Sequence, residues 1–174
     1  MKKFELTTKF ITNVAGKKLF RIKALVEFGN VKAGELGGYV EKEGNISQDG
    51  NAWVSGNAWV DGNATVSGNA TVTDNTEVSG NATVSGNAWV TDNAEVSGNT
   101  DYALAQGFGT EFRCTTFYRG KNKKIMVNCG CFHGDLEEFR KQVKETRSGK
   151  IAKEYLMIAD LMEYHFASED SDDE

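Results

Sequence analysis

The chain has 174 residues, 19 glycines and no proline, and its 39% hydrophobic and 26% charged residues are a globular composition rather than a disordered one. No apolar run approaches the roughly 18 residues of a membrane span, and the opening MKKFELTTKFITN has the lysines of a secretion signal without its apolar core, so the protein is read as cytoplasmic. The net charge of −5 is segregated: residues 50–107 carry no Lys or Arg against six Asp/Glu, whereas residues 108–166 carry eleven against eight.

From the N-terminus, the turn signal NVAGKK (13–18) leads into KKLFRIKALVEF (17–28), where apolar and polar residues partly alternate. A hairpin over residues 4–28 is predicted, within a cap of residues 1–31. Such a cap covers the core and strand edge that the end of a repeat array exposes. Leu36, Val40 and Ile46 fall on the phase of later inward positions, which predicts a degenerate coil ahead of the regular ones.

The regular part is a six-residue period. Asparagine recurs without a slip from Asn51 to Asn99, and valine recurs from Val54 to Val96, with Tyr102 in the next place. A small residue stands two before each valine, beginning with Ala52, Ala58 and Ala64. Six does not fit a lone helix, and it fits a strand only if the chain turns every hexad. Ala52 and Val54 then point inward and Trp53 outward. The SGN that follows is a turn, because glycine accepts positive φ and Asn and Asp come next. Three strand–turn units close a triangle of eighteen residues, and VTDNTEVSG (72–80) returns eighteen residues on as VTDNAEVSG (90–98). Asp74 and Asp92 stand where glycine is usual, so both are expected at positive φ. The asparagines are expected to form an inward column of side-chain amide ladders that satisfies the turn backbone.

This pattern closely resembles the hexapeptide-repeat β-helix family. The resemblance covers about residues 50–102 and implies the left-handed form of the helix. The expected fold is therefore mainly β: a left-handed parallel β-helix over residues 32–107, triangular, with eighteen residues per coil and about four coils. The resemblance also implies oligomers packed along the coils, a trimer ahead of a dimer. Many members of the family are acyltransferases and some are zinc carbonic anhydrases, activities that depend on histidine. These coils contain no histidine, and no Lys or Arg to hold a coenzyme phosphate. A non-enzymatic protein without a cofactor is the expectation, and a degenerate acyltransferase is an alternative.

Beyond Tyr102 the composition changes. EFRCTTFYRGKNKKIMVNCGCF predicts two strands, about 111–119 and 124–132, joined by a turn at 120–123. A helix capped by Asp135 follows, with Leu136, Phe139 and Val143 on one face, and then a second with Ile151, Tyr155, Ile158, Leu161 or Met162, and His165 or Phe166. Residues 108–166 are thus expected as a ββαα domain. The run ASEDSDDE (167–174) cannot bury enough apolar surface to fold and is expected to be disordered.

Three groups of residues are candidates for function. The first is the outward columns of the coils, where Trp53, Thr71 and Trp89 form one ladder and Trp59, Glu77 and Glu95 the next. Thr65, Thr83 and Asp101 form a third. Tryptophan on a solvent face points to an interface, unless the chain's own caps cover it. Asp74, Glu77, Asp92 and Glu95 gather at one corner, and stacked carboxylates call for solvent, a cation or a basic partner. The second group is the basic turn, Arg119, Lys121, Lys123 and Lys124, which offers a nucleic-acid or partner contact. The helical charges beyond it are mixed, so nucleic acid is disfavoured. The third is Cys114, Cys129, Cys131 and His133, chemically suitable for zinc, although one strand bearing C-x-C-x-H wraps a tetrahedron poorly. Three cysteines do not suggest a disulfide framework, and buried free thiols are the simpler reading.

The run VKAGELGGYVEKEGNISQDGNAWVSGNA (31–58) resembles the opening of hexapeptide-like proteins of bacteriophages and prophages. VNCGCFHGDLEEFRKQVKET (127–146) is similar to a small tail domain of phage proteins. The resemblance implies a setting inside a bacterial host cell. The function expected from it is non-catalytic binding of a host protein, with inhibition of an anti-phage defence protein as the specific form.

Overall fold

The computed structural model describes residues 1–167, so the acidic run lies outside the described residues except for Ala167. Strands β1 (Phe4–Thr12) and β2 (Lys18–Ala24) form the N-terminal antiparallel hairpin. β2 pairs antiparallel with β3 (Leu36–Val40), and β3 pairs in parallel with the coils. The hairpin is therefore continuous with one sheet of the repeat rather than a lid laid across its end.

Eight two-residue strands follow: β4 (Trp53–Val54), β5 (Trp59–Val60), β6 (Thr65–Val66), β7 (Thr71–Val72), β8 (Glu77–Val78), β9 (Thr83–Val84), β10 (Trp89–Val90) and β11 (Glu95–Val96). Each pairs in parallel with the strand eighteen residues away, as Trp53 lies opposite Thr71 and Thr71 opposite Trp89. The result is a parallel β-solenoid of about three coils, with faces β4-β7-β10, β5-β8-β11 and β6-β9. The alanine and valine columns are sealed inside, at 0–1% exposure from Ala52 to Val96. Burying one such valine contributes about 1.5–3 kcal/mol, so the stack supplies most of the solenoid's cohesion. Asp74 and Asp92 take φ of 61° and 60° at the corner where Gly56 has 64°, as their positions in the repeat require.

The first coil departs from the expected phase. Val40 lies opposite Val60 and Ile46 opposite Val66, twenty residues away rather than eighteen. The two extra residues fall between Ile46 and Trp53. Val40 and Ile46 are buried, but in the valine column, and Leu36 is 43% exposed instead of inward. Gly38 occupies the small-residue column, where a Cβ would lie 2.4 Å from the Ala58 carbonyl oxygen. The corner asparagines form the expected amide ladders, Asn51 to Asn69 and Asn69 to Asn87 at 3.1 Å each, but they are exposed rather than inward.

The C-terminal domain has four strands and two helices. β12 (Tyr102–Phe108), β13 (Arg113–Arg119), β14 (Ile125–Cys129) and β15 (Phe132–Asp135) form an antiparallel meander in that order. α1 (Leu136–Thr146) and α2 (Gly149–Phe166) follow. Two strands escape the ββαα pattern. β12 begins at Tyr102, which keeps the phase of the repeat while its backbone already pairs with β13. β15 is four residues long and is split from β14 by a two-residue turn with Gly130 at φ 63°. Asp135 caps α1 as expected, accepting from the Glu138 amide at 2.9 Å while Glu138 accepts from the Asp135 amide. α2 buries Ile158, Met162 and Phe166 and leaves Leu161 exposed.

The sheet lies between two cores. Side chains alternate across it, so Tyr118 of β13 is buried with the solenoid valines, while its neighbour Phe117 is buried with Val127, Phe139 and Ile158 under the helices.

Candidate functional site

The outward columns lie where the repeat puts them, but their exposure is uneven. Trp53 is 4% exposed, with Phe4 and Phe28 edge-on to its ring at centroid distances of 6.4 and 5.4 Å. It belongs to the buried core beneath the N-terminal hairpin, not to the surface. Trp59 is half-buried between Tyr39 and Glu77 of its column. Trp89, beside Thr71, is 49% exposed and is the aromatic ring that the coils present to solvent. In the third column Thr65 bonds Thr83 through their hydroxyls. Asp101 leaves that column: its carboxylate turns to the Ser97 and Gly98 amides, each at 2.9 Å, and to Arg119.

The backbone of Trp89 shows how the solenoid stops. Within the coils the N–H of a strand residue donates to a carbonyl seventeen residues on, as Trp53 does to Ala70 and Thr71 to Ala88. Among the described residues no further coil serves Trp89. Its N–H donates to the Thr116 hydroxyl at 3.0 Å, and its carbonyl accepts from the Asn128 amide at 2.8 Å. Thr83 is closed the same way, its N–H donating to the Asn99 side-chain oxygen and its carbonyl accepting from the Tyr102 hydroxyl. On the third face Ala94 bridges Gly120, and the Lys121 N–H donates to Asn93. Side chains and one hairpin turn thus stand in for the missing coil.

The acidic corner is compensated by the chain's own C-terminal domain. Lys121 reaches Glu77, and the Nε2 of His133 reaches Asp92. The other ring nitrogen of His133 meets the side-chain oxygen of Asn128, whose amide nitrogen is committed to Trp89. Asp74 accepts from the Thr73 and Thr91 hydroxyls, and these bonds hold its carboxyl below the ordinary aspartate pKa. Glu95 is exposed and has no ion pair among the described residues.

The basic turn is largely committed to the fold. Arg119 pairs with Asp101 and donates to the Phe166 carbonyl at the end of α2. Lys124 pairs with the helix cap Asp135, whose carboxyl is held low first by that lysine and then by the Glu138 amide. Lys123 sits in the turn at φ 63° without an ion pair among the described residues. The expected placement of Cys129, Cys131 and His133 on one strand fails because the Gly130 turn separates them. Cys129 accepts from the Thr115 hydroxyl, Cys131 is exposed, and burial pushes the Cys114 thiol pKa up. Among the described residues, no three His, Cys, Asp or Glu side chains converge as a metal set.

The residues that sequence reading misses are Thr116, Asn128, Tyr118 and Lys3, all of which close solenoid ends. The available signal was weak: Thr116 and Asn128 are polar residues one strand apart, with alternation that puts both on the solenoid side of the sheet. An open groove of about 380 Å³ lies beside β12, lined by Thr83, Ser85, Asn99, Tyr102, Ala103 and Leu104. No family model and no curated protein matches the chain.

Proposed function

We propose that this chain is a non-catalytic binding protein whose solenoid is a rigid scaffold and whose partner docks on the Thr71–Trp89 column. The observation that carries this reading is the half-exposed Trp89 on a face that is otherwise regular and fixed by ladder bonds. Tryptophan held by a stiff backbone loses little entropy on binding and anchors interfaces well. Commitment of His133, Lys121 and Arg119 to the domain junction supports the same reading, because their chemistry already holds the fold together. The resemblance of residues 31–58 and 127–146 to phage-type proteins favours a host protein as partner, an anti-phage defence protein among them. The resemblance to hexapeptide-repeat proteins favours a left-handed coil and a homotrimer.

The test is the mass of the protein in solution together with affinity capture from host lysate, each for wild type and Trp89→Ala. An oligomer that falls to a single chain on substitution assigns Trp89 to self-assembly. A captured protein lost on substitution assigns it to a host partner. If neither mass nor capture depends on Trp89, the reading fails. A low-salt gel shift abolished by neutralising Lys121, Lys123 and Lys124 would favour nucleic acid instead. Calorimetric binding of acetyl-CoA would revive the acyltransferase alternative.

A further inference from the structure

The outer edge of β12 differs from the other ends of the sheets. β1 carries Glu5 and Lys9, and β15 is only four residues long and ends in Asp135. Charge and shortness are the usual defences of a sheet edge. β12 has neither, since residues 102–110, YALAQGFGT, carry no charge and no proline. It is the terminal strand of its sheet. Among the described residues, the backbone of residues 102–107 bonds only to β13. The pairing register shifts between Gln106 and Phe108, with Gly107 at φ 93°, so the straight part of the edge is residues 102–106. Five residues of strand span about 17 Å.

The groove beside this edge completes a site. It is lined by Tyr102, Ala103 and Leu104 of β12, by Thr83 and Ser85 of the solenoid, and by Asn99. Among the described residues, the lining holds hydroxyls, an amide and the aliphatic Ala103 and Leu104, and no ionised group. Leu104 is 36% exposed and rests near the solenoid corner at Gly86. A ligand here must offer backbone N–H and C=O groups in strand geometry, and must bring no charge into the groove.

We propose that the groove along Tyr102–Gln106 is a strand-addition site that takes an extended, uncharged segment of a partner protein. The added strand pairs with β12, and alternate side chains, small hydroxylated or aliphatic, rest on Thr83, Ser85 and Leu104. The proposal deepens the binding-protein reading and rests on it, while using a surface separate from Trp89. Five residues of edge offer far less surface than a stable interface between two globular chains buries, so the site suits a single segment better than a second copy. The acidic run 168–174 brings five carboxylates and finds no cation in the lining, so it does not match the site.

The experiment is an NMR titration of the labelled full chain with the capped peptide acetyl-STVTVTS-amide, and with acetyl-SEVEVES-amide and acetyl-SKVKVKS-amide as charged controls. The expected result is saturable shifts at the amides of 102–106, with a Kd on the order of 1 mM, and binding about tenfold weaker for both charged peptides. Thr83→Lys, on the exposed wall of the groove, is expected to weaken STVTVTS binding about tenfold while shifts elsewhere stay native. Absence of shifts at 102–106, or shifts unaffected by Thr83→Lys, overturns the proposal. A dimer that Thr83→Lys splits assigns the edge to a second copy and also overturns it. So does a change at 102–106 when the chain is truncated after Ala167, which would make the acidic run the occupant. Trp89→Ala is expected to leave peptide binding unchanged. Loss of peptide binding with Trp89-dependent capture intact therefore removes the strand-addition site alone.

Discussion

At the N-terminal end of the solenoid, the free carbonyls of the first strands meet three kinds of donor. The backbone of Tyr39 serves Ala58, the Asn45 amide serves Gly62 and Ala64, and the buried Lys3 ammonium serves Gly50 and Ala52. At the C-terminal end, Asn99 and Tyr102 close one face, Thr116 and Asn128 close the second, and a hairpin turn closes the third. The N-terminal end continues one sheet through β3, β2 and β1, whereas among the described residues no parallel strand continues any face at the C-terminal end. One end is finished in part by extending a sheet, the other by side chains on two faces and a hairpin turn on the third. The difference matters because an unfinished solenoid end is a template for stacking on another chain.

The largest expected effect comes from breaking the sheet extension at its tightest point. Gly38→Val puts carbon against the Ala58 carbonyl oxygen and the Val54 methyl, which are 2.4 and 2.8 Å from where a Cβ would lie. Both neighbours belong to the packed coil, so β3 must lift. A loss of about 3 kcal/mol or more is expected in chemical denaturation. An unchanged midpoint would mean that β3 does not seat on the coil as described.

The second effect tests the side-chain closure. Thr116→Val and Asn128→Leu each leave one ladder group of Trp89 without its partner, at a cost of about 1–3 kcal/mol. The expected signature is local: hydrogen exchange should quicken around Trp89 and Val90 while Trp53 and Val54 stay protected. Lys3→Met is the mirror experiment, in which Trp53 and Val54 lose protection and Trp89 keeps it. Loss of protection at both ends from either variant would show the solenoid to be a single cooperative unit and would sink the contrast.

The same contrast explains how far the sequence could be read. The coils were legible because every hexad repeats one solution, so Asn, Ala and Val announce corner and core together. Asp74 and Asp92 could be placed at positive φ from the period alone. The twenty-residue first coil was not legible, because Val40 and Ile46 keep a six-residue spacing whose partners are shifted by two. β12 hid for a related reason, with Tyr102 holding the valine phase while pairing elsewhere. Of the outward columns, positions could be read and exposure could not. Trp53 and Trp89 are equivalent in the repeat, and what distinguishes them is Phe4 and Phe28, which only the folded hairpin brings over Trp53. The acidic corner announced a need for compensation, but the donors, Lys121 and His133, lie 44 and 41 residues from Glu77 and Asp92.

A smaller effect is expected in acid, on the C-terminal side. Burial alone would push the Asp101 carboxyl up. The Ser97 and Gly98 amides, the Ser97 hydroxyl and Arg119 outweigh burial and hold its pKa below the ordinary 3.8. A carboxyl with a depressed folded-state pKa adds stability that is complete above its unfolded value and is lost as pH falls through the folded one. Asp101→Asn should therefore cost about 1–2 kcal/mol near neutral pH, and the gap to wild type should shrink below about pH 4. A gap that is constant with pH would place the effect in packing rather than in the carboxylate.

The smallest effect lies inside the coils, which makes it the sharpest check on their regularity. Thr76 stands in the column that alanine otherwise holds from Ala52 to Ala94, and it is fully buried. Its hydroxyl has no hydrogen-bond partner among the described residues. A buried donor without a partner costs stability that an apolar group of the same shape does not. Thr76→Val keeps the branched shape and removes the orphan, so a gain of about 1 kcal/mol is expected, seen as a rise in Tm of about 2–4 °C. The sign decides the matter. A gain shows that the column tolerates bulk and penalises polarity, as a stack of identical coils should. A loss shows that Thr76 bonds inside the coil, and that this one hexad differs from its neighbours in more than its letter.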